Sequence, residues 1–115
     1  MSKLKAGLAL LTGGVAGLIK YAIAWFNEKV LAKIRNKETA AKYLRDVQAF
    51  NVFLGVVIEN HGDDLTPGKK VALEDTLAAT NELAKALEDF KVDETELDAI
   101  VDKITAAIDA WKKAK

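Results

Sequence analysis

The sequence predicts an all-α protein: an antiparallel up-down four-helix bundle with a long apolar N-terminal helix or a projecting N-terminal arm. Half of the 115 residues are apolar and 30% are charged, which suits one hydrophobic core. Apolar residues recur at three- and four-residue spacing through most of the chain, as they do along one side of an α-helix. Only seven glycines and one proline interrupt this pattern, so few breaks are expected.

The predicted organisation is an apolar arm followed by one bundle. The arm covers residues 1–14 and ends at the pair Gly13-Gly14, because two glycines favour a hinge in a helical segment. The bundle covers residues 15–115, with helices predicted at about 15–36, 38–60, 67–91 and 94–114.

Two breaks in the second half have clear local signals. Thr66 is a candidate N-cap with Pro67 at the first helical position, and Gly62 is a candidate left-handed glycine at the end of the preceding helix. Asp93 and Glu96 have the spacing of a capping box, and the flanking Val92 and Leu97 that of a hydrophobic staple.

The first half is less well specified. The helix predicted at 38–60 is apolar on nearly every side toward its end, where Val52 and Val56 widen its stripe, so it is expected to be the most central. Asn36 is the only candidate cap before it, and a bent or nearly continuous connection is the alternative.

Charge divides the chain into two unlike halves. Residues 1–58 carry nine Lys or Arg and three Asp or Glu, whereas residues 59–115 carry eight and fourteen, and the net charge is zero. We interpret this as two halves that neutralise each other, so nucleic acid is not an expected partner. Two four-residue series are predicted to form facing ridges on the first and fourth helices: Lys29, Lys33 and Lys37, and Glu94, Asp98 and Asp102.

The N-terminal segment is the most unusual part, because residues 6–19 contain no charge and residues 6–26 contain only Lys20. It has the length of a membrane span, but Lys20 and several glycines make insertion marginal. A secretory signal fits less well, so a cytoplasmic or membrane-associated location is favoured over secretion. In the third interpretation it is a bundle helix. Its core stripe then contains Leu11, Leu18 and Trp25, with Val15, Ala22 and Phe26 beside them.

The predicted function is a non-enzymatic structural or interaction protein that self-assembles through this apolar helix into a homo-oligomer, at a membrane lipid surface in one version. The residues expected to make that oligomer or membrane contact are Leu8, Leu11, Gly13, Val15, Gly17, Leu18 and Trp25. Two alternatives are a membrane-anchored protein of the single-span, pore or lysis type with a soluble C-terminal helical domain, and a soluble helical adaptor for a protein partner.

Catalytic and ligand-binding signals are sparse. The chain has no cysteine and one histidine, His61, in a predicted loop. No phosphate-binding loop or Glu-x-x-His pair is present, and Trp111 belongs to an apolar helix stripe. The sequence therefore predicts no catalytic site, metal, cofactor or small-molecule substrate.

Overall fold

Helices make up most of the chain that the computed structural model describes, which is residues 17–34, 36–89 and 92–114. Helix α1 covers residues 17–29, followed by α2 (Lys37–Lys42), α3 (Leu44–His61), α4 (Pro67–Asp89) and α5 (Glu94–Lys113). Two single 3-10 turns lie at Leu31–Lys33 and Gly62–Asp64. These ranges contain no β-strand, so the predicted all-α class is confirmed for the described residues.

One hydrophobic core joins the helices. Fully buried side chains come from α1, α3, α4 and α5, for example Ile19, Leu54, Leu83 and Ile104. The Cα radius of gyration is 14.0 Å, near the roughly 13 Å expected of a compact chain of this length. Helix α1 therefore contributes to the same core as the second half of the chain.

Polar contacts connect α4 to the helices on both sides of it. From α3, the Gln48 side chain donates to Glu88 over 2.9 Å, and Asn51 donates to the carbonyl of Thr80 over 3.2 Å. From α5, the Lys103 ammonium lies 3.3 Å from the Glu82 carboxylate. Residues near the start of α3 thus meet residues near the end of α4.

The first helix ends earlier than its predicted end at residue 36. After residue 29 the chain forms the 3-10 turn, and Ile34 is extended with φ −80° and ψ 107°. Asn36 then caps α2, because its side-chain oxygen accepts hydrogen bonds from the Thr39 amide at 2.9 Å and the Thr39 hydroxyl at 2.7 Å. The break is thus real, and the alternative of a nearly continuous connection is wrong.

The helix predicted at 38–60 consists of two pieces, α2 and α3. Tyr43 separates them with φ −102° and ψ 8°, and its amide bonds to the carbonyl of Ala40, three residues back. Tyr43 and Leu44 both pack partly buried against the core. Core packing at this point therefore coincides with an interruption of the helix that hydropathy alone does not signal.

Gly62 is not left-handed, so that prediction is wrong. Its φ of −57° and ψ of −35° are right-handed, and the chain continues into the 3-10 turn rather than into a glycine cap. Gly62 is buried, and a Cβ built on it would lie 3.3 Å from the side-chain Cε of Lys70. Close approach by Lys70 explains the glycine better than backbone conformation does.

Helix α4, and not α3, is the most buried helix described. Eight residues of α4 are buried against four of α3, whose Val52 and Val56 are 66% and 51% exposed. Much of the buried side of α4 is alanine and threonine, and small side chains let helices approach closely. The hydroxyls of Thr76 and Thr80 donate to the carbonyls of Ala72 and Leu77 within the helix, which satisfies them in the core.

Helix α5 begins where the capping signal predicts. The Asp93 carboxylate accepts a hydrogen bond from the Glu96 amide at 2.7 Å, and Val92 and Leu97 are both buried. Thr66 similarly accepts from the Lys69 amide at 3.3 Å at the start of α4. Both predicted N-caps are confirmed.

Replacing Asp93 by Ala is expected to lower the free energy of unfolding by about 1 kcal/mol, because the Glu96 amide loses its acceptor. Urea denaturation followed by circular dichroism measures this loss. Asp109→Ala is the matched control, since Asp109 is exposed near the other end of α5, and its effect should stay within about 0.5 kcal/mol. Equal losses in the two variants would contradict the capping role.

Replacing Gly55 by Ala is expected to raise the free energy of unfolding by about 1 kcal/mol, because glycine is a poor residue in a helix interior. Gly55 lies within α3, and a Cβ added to it would meet no atom within 4 Å, so the change introduces no clash. The midpoint of urea denaturation should rise with an unchanged slope. A lower midpoint would show that the space beside Gly55 is needed for another contact.

Candidate self-association surface and cationic cleft

Helix α1 presents two apolar sides. Ile19, Ile23 and Phe26, together with Val30 just after the helix, are each at most 2% exposed and form its core side. Phe26 stacks on Phe50 of α3 with ring centroids 4.1 Å apart and planes inclined by 10°. This side anchors α1 to the rest of the protein.

The second apolar side consists of Leu18, Ala22 and Trp25, which we call the α1 ridge. All three are half-buried, and Ala22 and Trp25 pack partly against the core. At about 100° per residue, the ridge lies roughly 100° around the helix from the core side. It therefore leaves leucine and tryptophan surface partly open to solvent.

The predicted core stripe of this helix is correct at Phe26 and wrong at Leu18 and Trp25. The sequence prediction placed Leu18 and Trp25 in the stripe, whereas the structure buries Ile19 and Ile23 and leaves Leu18 and Trp25 at the margin. Both sides are apolar, so the spacing pattern fits either of them. Burial against α3 decides between them, and that contact involves residues distant in sequence.

The remaining predicted contact residues divide into two groups. Gly17 is half-buried at the start of the described part of α1. Leu8, Leu11, Gly13 and Val15, with the whole predicted arm 1–14, lie outside the described residues. Their part in any contact stays a prediction.

The two predicted charge ridges differ in geometry. Glu94, Asp98 and Asp102 all lie on α5 and are exposed, as a four-residue spacing requires. Lys29 ends α1, Lys33 lies in the 3-10 turn and Lys37 begins α2, so these lysines do not share one helix face. Within the described ranges, no ion pair joins Lys29 or Lys33 to Asp98 or Asp102.

A cleft of about 530 Å³ opens where α1 passes the start of α4 and the end of α5. Its mostly apolar wall contains Gly17, Ile23, Ala24 and Trp111. Its polar lining residues are Lys20, Asn27, Glu28, Lys69 and Lys112. We call it the cationic cleft, because three lysines and one glutamate are among its lining residues.

Lys69 joins the cationic cleft to the buried Trp111. Its ammonium lies 4.3 Å from the centroid of the Trp111 ring and donates to the Trp111 carbonyl over 3.0 Å. The ammonium is stabilised by the cation–π contact with the indole ring and by the negative end of the helix dipole at the last carbonyls of α5. The two residues are 42 positions apart, so no local sequence pattern could have identified this pair.

Of the other candidate residues, His61 is exposed, Trp25 is half-buried and Trp111 is buried. His61 is the last residue of α3, and its Nδ1 lies 3.2 Å from the exposed Asp64 carboxylate. Trp25 belongs to the α1 ridge and Trp111 to the cleft wall. In the described ranges, no three His, Asp or Glu side chains are grouped as metal ligands would be.

Residues 6–26 have the length of a membrane span, and the structure describes residues 17–26 of this segment. Of the helices described, none combines the length and the hydropathy that crossing a bilayer requires. The N-terminal part of the predicted span lies outside the described residues.

Comparison of the chain with protein-family models, curated protein sequences and solved structures gives no match.

Proposed function

We propose that this protein is a non-enzymatic structural or interaction protein that self-associates through the α1 ridge. The observation that carries the proposal is the half-buried position of Leu18 and Trp25 beside a core side that is already complete. A leucine and a tryptophan on one helix side are typical of contact surfaces, where aromatic residues supply much of the binding energy.

The proposed architecture is an up-down antiparallel bundle in which α2 and α3 together form the second member. Two contacts support the alternating directions of α3, α4 and α5. Gln48 near the start of α3 meets Glu88 near the end of α4, and Lys69 near the start of α4 meets Trp111 near the end of α5. The place of α1 as the remaining member is supported by its shared core and by the cationic cleft, where it passes Lys69 and Trp111. This arrangement leaves the α1 ridge on the outside.

A second copy is the occupant we propose for the α1 ridge. In the sequence, Leu11 and Val15 precede Leu18 at four- and three-residue spacing, so the apolar series that contains the ridge begins before it. Gly13 and Gly17 supply small residues four apart, which permit close approach of two helices. The ridge ends at the exposed Lys29, which sets a polar limit to the contact.

Size-exclusion chromatography with light scattering tests this proposal. The full chain is run over a range of concentrations with and without mild detergent, beside a chain that begins at Val15. We expect a defined oligomer without detergent and a smaller species for the shortened chain. A full chain that stays monomeric throughout, or that disperses only in detergent or lipid, would contradict self-association in water.

A second candidate function, an adaptor for a different protein, is favoured by the apolar surface on α3. Val52 and Val56 are one helical turn apart and are both more than half exposed, unlike the half-buried residues of the α1 ridge. Changing them to Glu is expected to leave the oligomer of the full chain intact, because they belong to another helix. Loss of the oligomer in that variant would indicate that the self-association surface lies on α3 and not on α1.

A further inference from the structure

We propose that the cationic cleft binds a single-chain alkyl carboxylate, with the hydrocarbon tail along Gly17 and Ala24, beside the nearly buried Ile23, and the carboxylate among the three lysines. The inference does not depend on self-association, because the cleft uses other residues of α1 than the α1 ridge does. It assigns a small amphipathic anion to a protein in which sequence patterns indicate no ligand.

The dimensions of the cleft suit a small ligand. Its volume of about 530 Å³ lies within the 300–1,000 Å³ range that is usual for ligand pockets. Ile23 and Trp111 are almost fully buried, so they close its inner side, while Gly17 and Ala24 carry little or no side chain and leave the space between the helices unfilled. One extended hydrocarbon chain has room to lie along this wall.

The charged residues that line the cleft favour an anion. Its lining contains the three lysines Lys20, Lys69 and Lys112 and the single carboxylate residue Glu28, which leaves an excess of two positive charges. Lys20 and Lys112 are exposed, and neither has an ion pair among the described residues. A ligand carboxylate would give them a charged acceptor.

Lys69 gives the cleft a fixed cation between its polar and apolar parts. The Trp111 carbonyl uses one of its three donors, and the ammonium stays over the indole ring. An anion bound there completes its hydrogen bonding without requiring Lys69 to leave Trp111.

The protein's own N-terminal segment is a poorer occupant on charge grounds. Residues 1–16 contain Lys3 and Lys5 and no Asp or Glu, so they offer no side-chain anion to the three lysines. An acidic surface of a second copy offers carboxylates but no alkyl chain for the Ile23 wall. The alkyl carboxylate matches both the charge and the apolar lining.

Isothermal titration calorimetry of the full chain tests the proposal with sodium decanoate below its micelle concentration. Decyltrimethylammonium, which has the same tail and the opposite charge, is the matched ligand control. We expect saturable binding of decanoate and no saturable binding of decyltrimethylammonium. Affinity should increase about three- to fourfold for each CH₂ between octanoate and decanoate, as expected for burial of a hydrocarbon chain.

Two variants locate the binding. Lys20→Gln combined with Lys112→Gln is expected to weaken decanoate binding about tenfold, whereas Lys113→Gln, an exposed neighbour outside the cleft, should change it less than twofold. Ala24→Phe fills the cleft from an exposed helix position and should abolish binding with the helical circular dichroism signal retained.

Three results would overturn the inference: no saturable binding, equal binding of both ligands, or decanoate binding unchanged by the cleft variants. Association with phosphatidylglycerol vesicles without decanoate binding would also overturn it and indicate a lipid surface instead. The titration is repeated with Leu18→Glu and Trp25→Glu combined. Binding that persists in this variant separates the ligand site from the proposed self-association surface.

Discussion

Replacing Phe26 by Ala is expected to lower the free energy of unfolding by about 3–5 kcal/mol, because a fully buried aromatic ring is removed from a packed core. Phe26 is 0% exposed and stacks on the 2% exposed Phe50. A loss of this size is a large part of the roughly 5–15 kcal/mol that keeps a domain folded. Urea denaturation followed by circular dichroism measures it.

Val52→Ala is the matched control for Phe26→Ala. It removes apolar side-chain atoms from a position on α3 that is 66% exposed, so its effect should stay within about 0.5 kcal/mol. Combining Phe26→Leu with Phe50→Leu in a double-mutant cycle should give a coupling of about 0.5–1.5 kcal/mol for the stacked pair.

The Phe26 result also bears on the membrane-anchor alternative. That alternative requires residues 38–115 to fold without the first helix. A loss below about 1 kcal/mol in Phe26→Ala, far less than core truncation costs, would show that α1 contributes little to the cooperative fold. The stacking of Phe26 on Phe50 and the burial of Ile19 instead favour one folding unit that includes α1.

The second half of the fold could be predicted from the sequence because its helix starts depend on local chemistry. Thr66 with Pro67 and Asp93 with Glu96 satisfy helix amides through side chains only a few residues away. The buried series of α5, which includes Leu97 and Ile104, follows the same regular spacing in sequence and in structure.

The first half could not be predicted to the same extent, because non-local packing decides its geometry. Nothing in the sequence around Tyr43 breaks a helix, yet the helix is interrupted there beside the core. At Asn36 a cap was foreseen, but whether it started a new helix depended on the extended Ile34 before it. Helix ends without Gly, Pro or a strong cap are set by what the flanking residues pack against.

The two candidate sites also differ in how far the sequence predicts them. The apolar excess of the first helix is visible in the sequence, and it suffices to predict that α1 has more apolar surface than a core requires. Which residues form the ridge depends on whether Ile19 or Leu18 is buried in the core, and the structure buries Ile19. The cationic cleft could not be found at all, because Lys20, Lys69 and Lys112 come from three separate helices.

Replacing Leu18 and Trp25 together by Glu is expected to dissociate the proposed oligomer. Two carboxylates on the α1 ridge would have to be buried without partners in the contact, which is costly. The dissociation constant should rise at least about 30-fold, the effect of losing about 2 kcal/mol at a central contact residue. Light scattering across a dilution series measures the shift to monomer.

The matched control is Ala24→Glu, which adds a charge to an exposed side of the same helix. It should leave the oligomer unchanged, whereas the Leu18 and Trp25 double variant should be monomeric with its circular dichroism spectrum retained. Retained structure is expected because both residues are only half-buried and the core side, with Ile19 and Phe26, is untouched.

A double variant that still assembles would rule out the α1 ridge as the contact. Unfolding of the double variant would instead mean that the ridge belongs to the core, and the milder pair Leu18→Ser and Trp25→Ser would then test the contact at lower cost to folding.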